Sequence, residues 1–319
     1  MRIPARHRTA LVAAALSTGL ILTGCSNGDE TTAAAGDGKY TIGFVNGNNT
    51  EFHTCLQGAI EKKAEELGVE LYTANSTQDA GKELSNIEDM ISRGVDAVIV
   101  QTVNVDAVEA DIAKAKAANV PIYLTSVLLD DMDDVLGASV VPLADVGKMD
   151  AQLVEKDAAG KQVEVGVVAG APGAASDVLV GGFTDNLPGT AKVVANQPGM
   201  FSPAKAQEVA ENMIQAHPGL DYVFVANEEM AFGALNAFKA AKSSVKIVTN
   251  NGTERGVEAV KNGTFLGTVS NPAQTTGANA LESAVKLLDK DKSVEKITRT
   301  PLTLVTKDTA DQAPAYCAE

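Results

Sequence analysis

Tyr40 to Gly68 reads YTIGFVNGNNTEFHTCLQGAIEKKAEELG, and this stretch decides the fold. It opens on an apolar run, Tyr40 to Val45, of the length of one buried strand. A polar loop follows, Asn46 to Thr50. Beyond it Leu56, Ile60, Ala64 and Leu67 recur with the 3.6-residue period of a helix face. The loop therefore lies at the carboxyl end of a strand. In open α/β sheets ligands bind there, because helix N-termini and free backbone amides converge. Asn46, Asn48 and Asn49 can each donate and accept hydrogen bonds, and Phe52 adds an apolar face beside them. The same composition also makes an ordinary turn. The stretch alone leaves both readings open; the rest of the chain favours the first.

The unit recurs. Strands are predicted at 69–74, 97–100 and 120–124, alternating with helices at 79–92 and 106–118. That alternation predicts right-handed βαβ units and a parallel sheet. Around Gly137 to Val141 the pattern starts afresh, with strands at 163–169, 192–195, 222–226, 245–249, 266–269 and 302–306. Helices at 143–158, 203–216, 228–241, 256–261 and 275–288, and one ending near Leu187, fall between them. The expected fold class is α/β, with two doubly wound lobes rather than one long sheet, and ligands in such paired lobes sit between the strand ends.

The N-terminus reads as a targeting segment. Arg2, Arg6 and Arg8 precede an apolar run, Ala10 to Leu22, that is short for a membrane span and ends in Leu22-Thr23-Gly24-Cys25. This is the pattern of a bacterial lipoprotein signal (1–24), with Cys25 the expected lipidation site. Residues 25–38 are small and polar and read as a flexible tether. The remaining length suits about two domains. The formal charge is −15, and loss of the three leader arginines takes it to −18. So acidic a surface argues against nucleic acid and against charge-driven binding to anionic lipid. Beyond Cys25 only Cys55 and Cys317 remain, which in an exported chain form either a disulfide or two separate thiols.

No catalytic constellation is legible. Past the leader there are two histidines, His53 and His217, so a His-rich metal site is excluded, and a Ser-His-Asp triad would have to use one of them. There is no G-x-x-x-x-G-K phosphate loop. The residues point to no enzyme, no metal and no cofactor. His53 either lines the cleft beside Phe52 or supports the start of its helix.

Several segments together resemble the periplasmic sugar-binding proteins of ABC transporters, ribose-binding type. They are Tyr40 to Gly58, Arg93 to Val100, Ala216-His217-Pro218 through Ala226-Asn227-Glu228-Glu229 to Ala234, Asn251-Gly252-Thr253, and Gly267 to Pro272. The resemblance implies the type I periplasmic binding protein fold: two three-layer (αβα) lobes with parallel sheets, joined by a three-strand hinge. The lobes fall at 39–139 plus 272–301 and 140–271 plus 302–319. It implies an extracytoplasmic, lipid-anchored monomer that captures a sugar or polyol by hinge closure and delivers it to ABC permease subunits. A sensory receptor of the same fold, or a binder of a nucleoside or amine, are the alternatives. Asn46, Phe52, Phe201, Asn227, Asn251 and Asn271 fall at ligand-contact positions of the family. Ser126-Val127 stands where the family has an Asp-Arg pair, and Asp177 where it has an Arg. With those arginines replaced, the expected ligand is neutral or cationic, with Asp177 facing it.

Overall fold

The computed structural model describes residues 40–317. The leader, the tether and Cys25 lie outside the described residues. The first sheet contains β1 (Thr41–Asn46), β2 (Glu70–Asn75), β3 (Ala97–Val100), β4 (Ile122–Ser126), β5 (Gly137–Val140) and β11 (Ile297–Arg299), in the order β11-β5-β4-β3-β1-β2. Its helices are α1 (Glu51–Leu67), α2 (Ala80–Arg93), α3 (Val105–Ala117) and α9 (Ala273–Leu288). The second sheet orders β12 (Thr303–Val305), β10 (Gly267–Ser270), β9 (Lys246–Asn251), β8 (Tyr222–Val225), β6 (Val163–Ala169) and β7 (Ala191–Pro198). Helices α4 (Leu143–Ala158), α5 (Ala174–Thr184), α6 (Pro203–Ala216), α7 (Glu228–Ala240) and α8 (Glu254–Lys261) complete it.

The near-continuous apolar strands that the sequence shows are those of sheets covered on both sides. Ile42, Phe44 and Ile99 pack with Leu56 and Ile60 of α1 and Leu281 of α9, whereas Val45, Val98 and Val100 pack with Ile87, Met90 and Ile112 of α2 and α3. In the second lobe one core unites Val165, Val167, Phe224 and Val248 with Phe183, Met213 and Phe238 from the surrounding helices. The helix α1 ends at Gly68, whose left-handed φ of 67° lets its N–H return to the last turn. Leu67, expected on the buried face of α1, is instead 45 % exposed. It occupies the final turn of the helix.

The chain passes between the sheets three times: from β5 to α4, from β10 to α9, and from β11 to β12. β11 is too short to stand out in the sequence, and its pairing with β5 is parallel. β12 pairs antiparallel with β10, against the all-parallel expectation. The reason is geometric. Both sheets turn their carboxyl strand ends to the cleft, so a strand leaving one sheet there enters the other from its carboxyl end and runs against its neighbours.

Candidate binding cleft

Between the carboxyl ends of the two sheets lies a cavity of about 410 Å³. The first lobe lines it with Asn48, Phe52, His53, Gln101, Asn104 and Ser126 among others, and the second with Ser176, Phe201, Asn227, Asn250 and Asn251, while Asn271 sits on a crossing segment. Among the described residues, no charged side chain lines it.

The amides are already half committed to the scaffold, and that commitment sets what each can offer. Asn227 caps α7, accepting from Met230 N at 2.8 Å, and Asn104 caps α3 through Ala107 N at 3.0 Å. With their oxygens engaged, the Nδ2 groups remain as donors. Asn250 Nδ2 donates to Ala226 O at 3.0 Å and Asn251 Nδ2 to Tyr316 Oη at 2.9 Å, so these two keep Oδ1 as an acceptor. The Asn271 Oδ1 is buried without a partner. A polyhydroxylated ligand, whose hydroxyls both donate and accept, complements this mixed set.

His53 is oriented at both ring nitrogens. Nδ1 lies 2.7 Å from Thr50 Oγ1 and Nε2 3.0 Å from Gln101 Oε1. An amide oxygen only accepts, so Nε2 carries the proton and the Thr50 hydroxyl donates to Nδ1. Gln101 is thereby turned with its Nε2 free. Burial pushes the His53 pKa down to about 4, against the Gln101 contact, so the ring is neutral. A histidine whose folded pKa lies below its ordinary value stabilises fully above about pH 6.5 and loses that contribution as pH falls toward 4. Comparing His53→Gln with the parent by denaturant titration should show the parent's relative stability falling by about 2–3 kcal/mol between pH 7.5 and 4. A pH-independent difference would contradict a buried, neutral His53 ring.

Two aromatic rings face the cavity, one from each lobe. Phe52 lies on the first turn of α1. Phe201 follows β7 in a tight turn where Met200 and Phe201 both have positive φ, 58° and 50°. Its ring covers Gly170, at which any Cβ would collide with it. Gly47 is constrained in the same way by the Gln101 side chain and backbone.

Each lobe also fastens a cleft loop with a buried glutamate, a device absent from the sequence reading. Glu83 accepts from Thr102 Oγ1 and Val103 N, both at 2.7 Å, and burial raises its pKa to about 7. Glu228 accepts from Gly252 N and Thr253 N at 2.9 Å and from the Thr253 and Thr268 hydroxyls at 2.5 and 2.6 Å.

Of the residues singled out in the sequence, Asn48, Phe52, His53, Ser126, Phe201, Asn227, Asn251 and Asn271 line the cavity and two do not. Asn46 points into its own lobe, where Nδ2 donates to His53 O at 3.0 Å and Gln57 Oε1 at 3.2 Å. Strand alternation sends it toward α1, and the following Gly47 and Asn48 reach the cavity. Asp177 is exposed and outside the lining. The inner face of α5 passes through Ala175, Ser176 and Leu179, and Asp177 is a further 100° round the helix. The expectation that a carboxylate faces the ligand is therefore corrected. Arg255 also stays out, its guanidinium 3.6 Å from the centroid of the Phe232 ring. Gln101, Asn104, Asn250 and Ser176 were missed; Gln101 directly follows β3, so the strand-end rule alone would have found it.

Cys55 and Cys317 form a disulfide, with their Cα atoms 4.9 Å apart. It fastens the C-terminal tail to α1.

The periplasmic binding protein domain model matches residues 42–292. The chain belongs to the periplasmic binding protein family. It is a family of extracytoplasmic binding proteins rather than enzymes, and among the described residues no helix is long and apolar enough to cross a membrane. The chain is similar to the ribose import binding protein of Bacillus subtilis (strain 168), with 30 % identity over 84 % of this chain and 88 % of that one. It is equally similar to a xylitol-binding protein of Mycolicibacterium smegmatis, with 30 % identity over 95 % and 86 %. A solved structure, the binding component of the arabinose ABC transporter from Shewanella sp. ANA-3 bound to L-arabinofuranose, superposes with a TM-score of 0.79. It shares 27 % identity and the match covers 85 % of this chain and 93 % of that one.

Proposed function

We propose that this protein is the solute-binding subunit of an ABC importer, and that it captures an uncharged sugar or polyol in the cleft. The observation that carries the reading is a cavity lined by amides, hydroxyls and two rings and, among the described residues, by no charged group. Rings cover C–H faces, amides meet hydroxyls, and a buried hydroxyl left without a partner costs about 1–3 kcal/mol. Three chain crossings between the two lobes form a hinge, so the ligand is enclosed as they rotate together. The relatives that import ribose or bind xylitol support the ligand class. With Asp177 outside the cavity, a cationic ligand loses its counter-charge, and a neutral one is favoured.

The test is a thermal-shift and calorimetric screen of ribose, arabinose, xylitol and myo-inositol beside ribonate and ribose 5-phosphate. A neutral member present at 100 times its Kd should stabilise the fold by about 2.7 kcal/mol. Tight binding of the acids or phosphates in preference to the neutral compounds would sink the reading.

We further infer that the mature protein is a monomer anchored through a lipid on Cys25. Cys25→Ser should move it from the membrane fraction to the soluble fraction. Retention in the membrane fraction would refute the anchor.

A further inference from the structure

The tail beyond the second lobe passes behind the cleft. After β12 and a short 3-10 turn (Ala310–Gln312) beside α8, residues 313–317 reach the first lobe, where Cys317 is joined to Cys55 of α1. Gln274 of α9 holds this strap twice, its N–H donating to Tyr316 O at 3.1 Å and its Nε2 to Ala315 O at 2.7 Å. Tyr316 is 3 % exposed and packs with Cys55, Ala273 and Phe52. Its hydroxyl takes the Asn251 Nδ2 at 2.9 Å. One tail residue thus touches a cleft residue of each lobe: the ring Phe52 and the amide Asn251.

Asn251 is held against its own preferences. Its φ of 143° lies where side-chain-bearing residues seldom sit, and Gly252 follows at 82° with Ser270 pressed against the place a Cβ would take. Such a conformation costs on the order of 1–3 kcal/mol and persists only where the surroundings enforce it. A free asparagine side chain can present either its donor or its acceptor. Here Nδ2 donates to Tyr316, and Oδ1 is left as an acceptor on a residue that lines the cavity.

We propose that Tyr316 is a positioning residue for ligand selection: by taking one Nδ2 hydrogen it holds the Asn251 amide with Oδ1 available as an acceptor, so that a neutral amide supplies the acceptor a carboxylate would. This rests on the cleft being the ligand site. The strap makes the C-terminal tail part of the binding machinery, and the disulfide fixes the strap to the lobe that carries Phe52. A ligand hydroxyl beside Asn251 is then required as a donor.

The test is calorimetry with ribose, arabinose, xylitol and myo-inositol on the wild type, Tyr316→Phe, Asn251→Asp and the double variant. Tyr316→Phe should bind about tenfold more weakly, the equivalent of one hydrogen bond of about 1.4 kcal/mol. In the Asn251→Asp background the same change should have little effect, because a carboxylate presents an oxygen whichever way it turns. Equal losses in both backgrounds would mean that Tyr316 acts only through packing, and no loss in either would mean that Asn251 needs no help; both overturn the proposal. Wild-type binding that Tyr316→Phe leaves unchanged defeats this inference and spares the assignment of the cleft. Failure of the wild type to bind any of the four defeats both.

Discussion

Replacing Cys55 and Cys317 together by alanine should lower the unfolding free energy by about 3–5 kcal/mol. The two residues are 262 apart in sequence, so the bond closes nearly the whole folded chain into a loop. In the chain-entropy view the denatured ensemble then loses about 5.6 kcal/mol worth of freedom, more than single disulfides usually deliver. At roughly 2 °C per kcal/mol for a chain of this size, the unfolding midpoint should fall by about 6–10 °C. Dithiothreitol should reproduce the shift in the parent and have no effect on the variant. The bond also ties the strap bearing Tyr316 to α1, so ligand affinity should fall with stability. A midpoint that moves by less than 2 °C would show that the hydrogen bonds from Gln274 hold the tail by themselves.

Glu228→Ala should cost about 4 kcal/mol, again in unfolding free energy. The side chain is 1 % exposed and receives four hydrogen bonds, two of them from backbone amides. Each buried donor left alone costs about 1–3 kcal/mol, and the two hydroxyls can recover part of their share by rotating. A counterweight exists. Burial raises the Glu228 pKa to about 7 in spite of the four donors, so holding it ionised above that pH is itself unfavourable. A raised carboxyl pKa stabilises the fold fully below about pH 4.5 and loses that contribution as pH rises through about 7. The net loss on substitution should therefore be smaller at pH 8 than at pH 6. Glu228→Gln should recover only part of it, because its amide nitrogen would face two of the donors. Since Gly252 and Thr253 directly follow Asn251, ligand binding should weaken as well. A loss below 1 kcal/mol at both pH values, by urea titration, would show that the loop is held by other contacts.

The sequence by itself determined the lobes' architecture and most of the cleft. Strand runs such as Val163–Ala169, buried on both faces, call for a covered sheet, and their carboxyl ends locate the ligand region. Phe52, Phe201, Asn227, Asn251 and Asn271 were legible for that reason, through a resemblance carried by whole segments. Tertiary structure alone decided which atoms those residues present. Asn46 and Asp177 stand at strand or helix ends like the others, yet one turns into its lobe and the other into solvent. Periodicity places a residue near an edge but does not fix the rotation of a short element about its axis. The same holds for amide polarity. Whether Asn227 offers a donor and Asn251 an acceptor depends on Met230 N, three residues away, in one case and on Tyr316, 65 residues away, in the other. Local capping chemistry is written in the chain, but a contact closed across the hinge by the tail exists only once both lobes have folded around it.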